Sequence, residues 1–189
     1  MLRLLPTYSS SPLLRTRDPE KLATCHTVVD VGGQYDPSSN RYDHHQREFN
    51  STFPNHSTKL SSAGLVYLHF GKAIIAQQTG LPDDSEEVNL LFEKLYDDFI
   101  EAFDANDNGI SVYDTNALKS AGITKTHEER GYSIASVVNR KNRHWDDDEG
   151  KSEEQKQAEE DERFIKASAF TGEEFESTSN AKFKSGLCC

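Results

Sequence analysis

The sequence predicts an α/β layer fold, with a partly parallel sheet flanked by helices. Three observations predict it. A β-branched apolar run, Thr27 to Val31, carries Asp30 within it and Gly32-Gly33 behind it. Two long segments, about residues 62–79 and 85–103, repeat apolar side chains at helical spacing. From Trp145 onward the chain is mostly charged, so the apolar material that could build a core lies almost entirely before it.

Taken in order, Met1 to Leu5 reads as the end of a helix stopped by Pro6. Leu13 to Arg17 is a short strand candidate, and residues 19–23 make one helical turn behind Asp18-Pro19. Thr27 to Val31 suits a central parallel strand covered on both faces. Tyr35 to Arg41 holds Asp36-Pro37-Ser38-Ser39-Asn40, a strong turn signal, and delivers the chain to Tyr42-Asp43-His44-His45. Phe49 to Lys59 is a polar loop. Ser61 or Ser62 caps a helix that runs to Thr79 and closes at Gly80-Leu81-Pro82. A second helix, Ser85 to Phe103, buries a stripe of Leu90, Leu91, Leu95, Phe99 and Phe103. It leads into Asp104-Ala105-Asn106-Asp107-Asn108-Gly109. Residues 111–125 read as loop, and His127 to Asn139 as a third helix using Ile134, Val137 and Val138. The charge run 146–162 opens a last helix holding Phe164, Ile165 and Phe170, and Thr178 to Cys189 lacks periodicity, as a disordered tail does.

Composition narrows the function classes. The chain has 189 residues, 34% of them apolar, and a formal net charge of -11. One domain with a real core is the expectation at this length. A surface this acidic does not attract a phosphate backbone over a broad patch, although metal ions held among carboxylates would invert the field locally. Three cysteines, Cys25 and the terminal pair Cys188-Cys189, do not make a disulfide framework, which points to a reducing, intracellular compartment. No stretch approaches the roughly 18 apolar residues of a membrane span. No phosphate-binding glycine loop of the P-loop or dinucleotide type is present.

Chemistry concentrates at Asp43-His44-His45, 13 positions beyond Asp30. Carboxylates suit hard divalent ions and imidazole suits transition metals, so Asp30, Asp43 and His44 form a mixed ligand set for Mn²⁺ or Mg²⁺. His45 either takes a second ion or donates to a phosphate oxygen. The bland reading, two solvated histidines after a turn, stays open at this point. Asp104 or Asp107 would add a further carboxylate. The segment lacks the alternating ligands and the Glu at position twelve of a calcium loop. Arg47 and Lys59 flank the loop behind His45 and are candidates for meeting a phosphate. His69, inside an apolar helix, reads as a helix-face residue.

The segments Val28-Val29-Asp30-Val31-Gly32-Gly33, Tyr35-Asp36-Pro37, Arg41 to Arg47 (Arg-Tyr-Asp-His-His-Gln-Arg), Lys59 to Tyr67 (Lys-Leu-Ser-Ser-Ala-Gly-Leu-Val-Tyr) and Asp107 to Ser111 (Asp-Asn-Gly-Ile-Ser) resemble the eukaryotic melanocyte-proliferating-gene-one exonucleases, within the wider DHH phosphoesterase group. The resemblance implies a three-layer DHH-type phosphoesterase domain and a two-metal Mn²⁺ or Mg²⁺ site. It makes Asp30, Asp43, His44 and Asp107 (Asp104 being the alternative) the ligands. It makes His45, with Asp43, the catalytic pair, and His45, Arg47 and Lys59 the phosphate contacts. It implies 3'-to-5' exonuclease action on RNA, in nucleus and mitochondrion, with no membrane partner.

The family's first metal-binding segment and its C-terminal half find no match by eye. The expectation is therefore an incomplete domain: an internal fragment lacking the first metal motif, with activity impaired. Residues 1–145 would be the partial phosphoesterase domain, 146–177 an acidic helical extension and 178–189 the tail. A noncatalytic fragment with a partial metal site, or an acidic interaction module, are the competing expectations.

Overall fold

The computed structural model describes residues 1–124, 126, 133–142 and 150–186. They form two compact units, Met1–Val112 with Thr178–Cys189, and Tyr113–Ser177.

The first unit opens with a 3-10 turn, Leu2–Leu4, and helix α1, Pro6–Ser9. The short helix expected over Met1 to Leu5 is therefore a single tighter turn, since a few residues cannot repay helix nucleation. Leu13 to Arg17 forms no strand; Leu13 and Leu14 are each 54% exposed. Helix α2, Pro19–Thr24, is capped by Asp18, whose carboxylate accepts from the Glu20 amide.

Three two-residue strands follow: β1, Val28–Val29; β2, Tyr35–Asp36; and β3, Arg41–Tyr42. The sheet order is β1-β3-β2, with β1 parallel and β2 antiparallel to β3. The expected central strand is thus an edge strand of a small mixed sheet. It is cut short because Asp30 takes a left-handed backbone (φ 67°), and Gly32 and Gly33 continue the turn at φ 96° and 65°. The Asp36-Pro37 turn closes as a 3-10 turn, Pro37–Ser39, with Asp36 accepting from Ser38 and Ser39.

Helix α3, Ser62–Thr79, starts at Ser61, whose hydroxyl accepts from the Ala63 and Gly64 amides, and ends at left-handed Gly80. Helix α4, Glu86–Leu95, passes into a π-turn, Tyr96–Ile100, and then α5, Glu101–Asp107. The buried stripe differs from the expected one. Leu90 is 48% exposed, and Val88, Leu91, Phe92, Leu95, Tyr96, Phe99 and Ile100 face inward.

The core between α3 and α4 is aromatic. Phe53 stacks on Tyr96 at 3.8 Å between ring centroids, and Tyr67 on Phe92 at 4.9 Å. Gly71 permits this approach: a Cβ there would meet the Phe92 ring at 2.7 Å. Ser179 and Lys182, at the end of the chain, join this unit. Ser179 donates to the Gln78 side chain, and Lys182 pairs with Asp98.

In the second unit, residues 111–125, expected as loop, include helix α6, Thr115–Ser120, because Asp114 caps it through the Asn116 and Ala117 amides. Helix α7, Ile134–Lys141, starts at Ser133. Helix α8, Glu153–Gly186, begins in a reciprocal Ser152–Gln155 capping box. Glu159 holds both Lys151 (2.7 Å) and Arg163 (3.3 Å), and Lys141 lies over the Phe170 ring. Helix α8 continues through Thr178–Gly186, where absent periodicity suggests a disordered tail; the interactions of Ser179 and Lys182 hold it there. His127, where the third helix was expected to begin, lies outside the described residues, as do His144, Trp145, the first part of the charge run, Cys188 and Cys189. No helix among the described residues is long and apolar enough to cross a membrane.

Candidate metal centre

The end of β1, the end of β3, the start of α3 and the end of α5 converge on one corner. Parallel pairing of β1 with β3 puts Asp30 and Asp43 one step past the last paired residues, Val29 and Tyr42, on neighbouring strands. The Asp30 amide still donates to the Tyr42 carbonyl at 3.2 Å, and the Asp43 amide to Gln34 at 3.0 Å. Register alone therefore brings together two carboxylates that are 13 residues apart.

Asp30, Asp43, His44 and His45 each offer a ligand atom, and these atoms all lie within 4.8 Å of one another. Asp43 is 1% and His44 5% exposed, whereas the side chains of Asp30 and His45 are 62% and 59% exposed. The group has a dry inner half and a wet outer half, the form of a site that holds an ion and admits a ligand.

Asp43 is saturated with donors. Its Oδ2 accepts from the Gly33 amide at 2.6 Å; its Oδ1 accepts from the His45 amide at 3.2 Å and meets the His45 Nδ1 at 2.5 Å. Burial works against its charge, but the His45 and Gly33 hydrogen bonds outweigh it and hold the carboxyl below its usual range. The same bond to Asp43 raises His45 above the ordinary imidazole value, so His45 keeps its proton to higher pH, with Nδ1 engaged by Asp43 and the side chain more than half exposed.

His44 is held from behind. Its Nδ1 lies 3.0 Å from the Ser62 hydroxyl and accepts from the Ser62 amide at 3.2 Å. Its Nε2 lies 3.1 Å from Asp107 Oδ2, and Asp30 Oδ1 approaches Nδ1 at 3.9 Å. Asp107 thus reaches the corner. Asp104 does not: it is fully buried, and its oxygens accept from Ser61, Gly64 and Tyr96.

The donor set fits a divalent ion. Carboxylates suit hard divalent ions, and an imidazole beside them extends the set to transition metals. Asp30 points the same way. Its carboxyl is raised first by burial and next by the charge of Asp107, an arrangement that a cation between the two would relieve.

The flanking cations sit differently. Arg47 is exposed on the turn after His45. Lys59 lies over the Phe49 ring, 5.4 Å from its centroid, and that ring is 6.4 Å from His44. His69 is a face residue of α3, bonded to the Tyr35 hydroxyl at 2.8 Å, and burial lowers its imidazole. The residues that sequence reasoning missed are Gly33, whose amide fixes Asp43, and Ser62, which reads as an ordinary cap candidate until His44 is seen against it.

A profile described as "Uncharacterised protein family (UPF0160)" matches residues 1–188. The chain belongs to this family. Among curated relatives, the human protein named MYG1 exonuclease is 54% identical over 119 residues, covering 60% of this chain and 32% of its own length. The Mus musculus MYG1 exonuclease is 53% identical over 119 residues, covering 60% and 31%. A MYG1 protein of Caenorhabditis elegans is 42% identical over 180 residues, covering 93% and 48%. The chain therefore spans about a third to a half of the length of these relatives. No solved structure matches.

These findings correct the expectation of an incomplete domain, an internal fragment lacking the first metal motif. The UPF0160 match does not fade after Phe175 but runs to residue 188. The worm relative aligns over 93% of the chain. The α/β arrangement with its mixed sheet and flanking helices is present, and the Asp-His cluster it carries is assembled rather than partial. The reason is local. The cluster comes from two adjacent strand ends, Asp107 joins it from the end of α5, and Ser62 at the start of α3 supports His44, all within the first unit.

Proposed function

We propose that this chain is a metal-dependent phosphodiester hydrolase, acting as a 3'-to-5' exonuclease on RNA with Mn²⁺ or Mg²⁺ in a two-metal site. The observation that carries the reading is the gathering of Asp30, Asp43, His44 and His45 within 4.8 Å, on a chain whose relatives include proteins named exonucleases.

Asp30, His44 and Asp107 would hold the ions, with the Asp43 carboxylate beside them, and Asp43 also holds His45. A divalent ion supplies charge stabilisation at phosphate oxygens and a more acidic water. The chain's own groups do the rest. His45, protonated through its bond to Asp43, donates from Nε2 to a non-bridging phosphate oxygen or to the leaving oxygen. Lys59, over the Phe49 ring that neighbours His44, and exposed Arg47 on the turn after His45 attract the next phosphate. The acidic remainder of the surface repels nucleic acid, so binding concentrates at this corner.

The test is a 5'-labelled single-stranded RNA incubated with the chain and Mn²⁺, Mg²⁺ or chelator. Stepwise shortening from the 3' end is expected with Mn²⁺ or Mg²⁺ and none with chelator, and Asp30→Ala with His44→Ala removes it. Cleavage equal in the double variant overturns the site. Binding of Mn²⁺ without cleavage of RNA or DNA overturns the activity.

A further inference from the structure

Three residues before Asp107, on the same helix, lies a carboxylate that the proposed reaction does not use. Asp104 is fully buried. Its Oδ1 accepts from the Ser61 amide at 2.9 Å, the Ser61 hydroxyl at 2.7 Å and the Gly64 amide at 3.1 Å; its Oδ2 accepts from the Tyr96 hydroxyl at 2.9 Å. Three of these four donors belong to the first turn of α3. A carboxylate there satisfies amides that have no partner within the helix and complements the positive end of its dipole. Gly64 keeps the approach open, because a Cβ at that position would strike the Asp104 carboxylate.

The same turn carries Ser62, which presents both its amide and its hydroxyl to His44 Nδ1. Asp104 and Asp107 stand one helical turn apart on α5, so one anchors inward while the other meets His44 Nε2. Asn108 ties the two segments again, donating to the Lys59 and Asp104 carbonyls at 2.9 Å each.

We propose that Asp104 is a positioning residue of the metal centre, fixing the first turn of α3 against α5 so that Ser62 backs His44 Nδ1 while Nε2 and Asp107 face each other across the place an ion would take. The inference rests on reading this corner as a metal centre. Asp104 touches no ligand atom; it sets the ring plane of His44 through Ser61 and Ser62, and the reach of Asp107 through α5. Partners one bond removed from a ligand commonly change metal affinity about ten- to hundredfold.

The test uses the full chain and three variants: Asp104→Asn, Ser62→Ala and the double variant. Asn keeps the volume, its oxygen can face the α3 amides, and its amide can donate to Tyr96. The expected result is a folded Asp104→Asn chain that binds Mn²⁺ about ten- to hundredfold more weakly by calorimetry, with altered ring ¹⁵N signals of His44 in the metal-free chain. The double variant loses no more than Asp104→Asn alone, because both act on one ring. Unchanged His44 signals in a folded Asp104→Asn chain overturn the proposal, and so do losses that multiply. Should Asp104→Asn not fold, Ser61→Ala removes one donor to the same oxygen and is read the same way. A wild-type chain that binds no Mn²⁺ sinks the metal reading, while the His44 signals still decide the role of Asp104.

Discussion

Two regions of the first unit are built by different rules. The aromatic layer between α3 and α4 consists mainly of helical side chains, joined by Phe53 from the preceding loop, buried by area and stacked within 5 Å at Phe53–Tyr96 and Tyr67–Phe92. The metal corner consists of two-residue strands, left-handed turns and hydrogen bonds to single atoms. The corner carries strain at Asp30, which holds a left-handed backbone and a carboxyl raised by burial and by Asp107. The layer shows no such strain at its stacked rings. Stability and function are therefore separable here, and Asp104 is where they meet.

The largest effect that would test this separation is on turnover. His45→Ala should lower RNA cleavage about a hundred- to ten-thousandfold, while the urea midpoint falls by no more than the loss of one donor to buried Asp43, because the ring itself is largely exposed. Cleavage that survives the change removes His45 from the chemistry. In the aromatic layer the signs reverse. Leu95 is fully buried, so Leu95→Ala should cost about 2–5 kcal/mol in urea unfolding, with Mn²⁺ affinity unchanged in whatever fraction stays folded.

A third variant addresses strain. Asp30→Gly relieves a left-handed L-residue that costs about 1–2 kcal/mol, at an entropic loss of about 0.5–1 kcal/mol. In chelator the variant should be as stable as wild type or more so, and it should lose Mn²⁺ binding. A large loss of stability would show that Asp30 is part of the scaffold after all.

The smallest effect is a pH slope. Burial raises the Asp104 carboxyl above 3.8, so the folded chain binds this proton more tightly than the unfolded one. Its contribution is complete below 3.8 and declines as pH rises through the raised folded value. Asp104→Asn lacks that titration. The stability of wild type relative to the variant should therefore fall with rising pH across this window, as read by urea midpoints in acid buffers.

The sequence made the helical region legible because burial on a helix leaves a period. Ser61, Gly80 and Ser85 mark their helix ends as cap chemistry requires. The stripe differs at Leu90, which lies off the α4 face formed by Val88, Leu91, Phe92 and Leu95, because two adjacent leucines leave the period open as to which one faces inward. The Asp30 and Asp43-His44-His45 pieces were visible as unusual polar residues beside an apolar run. Their meeting depends on β1 pairing with β3, a contact between distant segments that leaves no local signal. The preference for Asp107 over Asp104 rested on its place before Asn108-Gly109, and burial is what separates the two in space: Asp104 inside, Asp107 half-exposed. The expectation of a half-built centre follows the strong motifs, which end near Ser111; the similarity is fainter in the charged helix α8, where few residues are distinctive, and the family match carries it to residue 188.

The π-turn at Tyr96–Ile100 has a consequence for how this centre can be lost. One residue more or less in a regular helix turns everything beyond it by about 100°. A π-turn takes up one such residue within a single widened turn. Removing a single residue from Tyr96–Ile100 would therefore let α4 and α5 run on as one ordinary helix with Asp104 and Asp107 still on the face that meets α3. An in-frame loss of one codon in this stretch should leave the corner assembled, whereas a residue added there has no further slack to absorb it and would turn both carboxylates away.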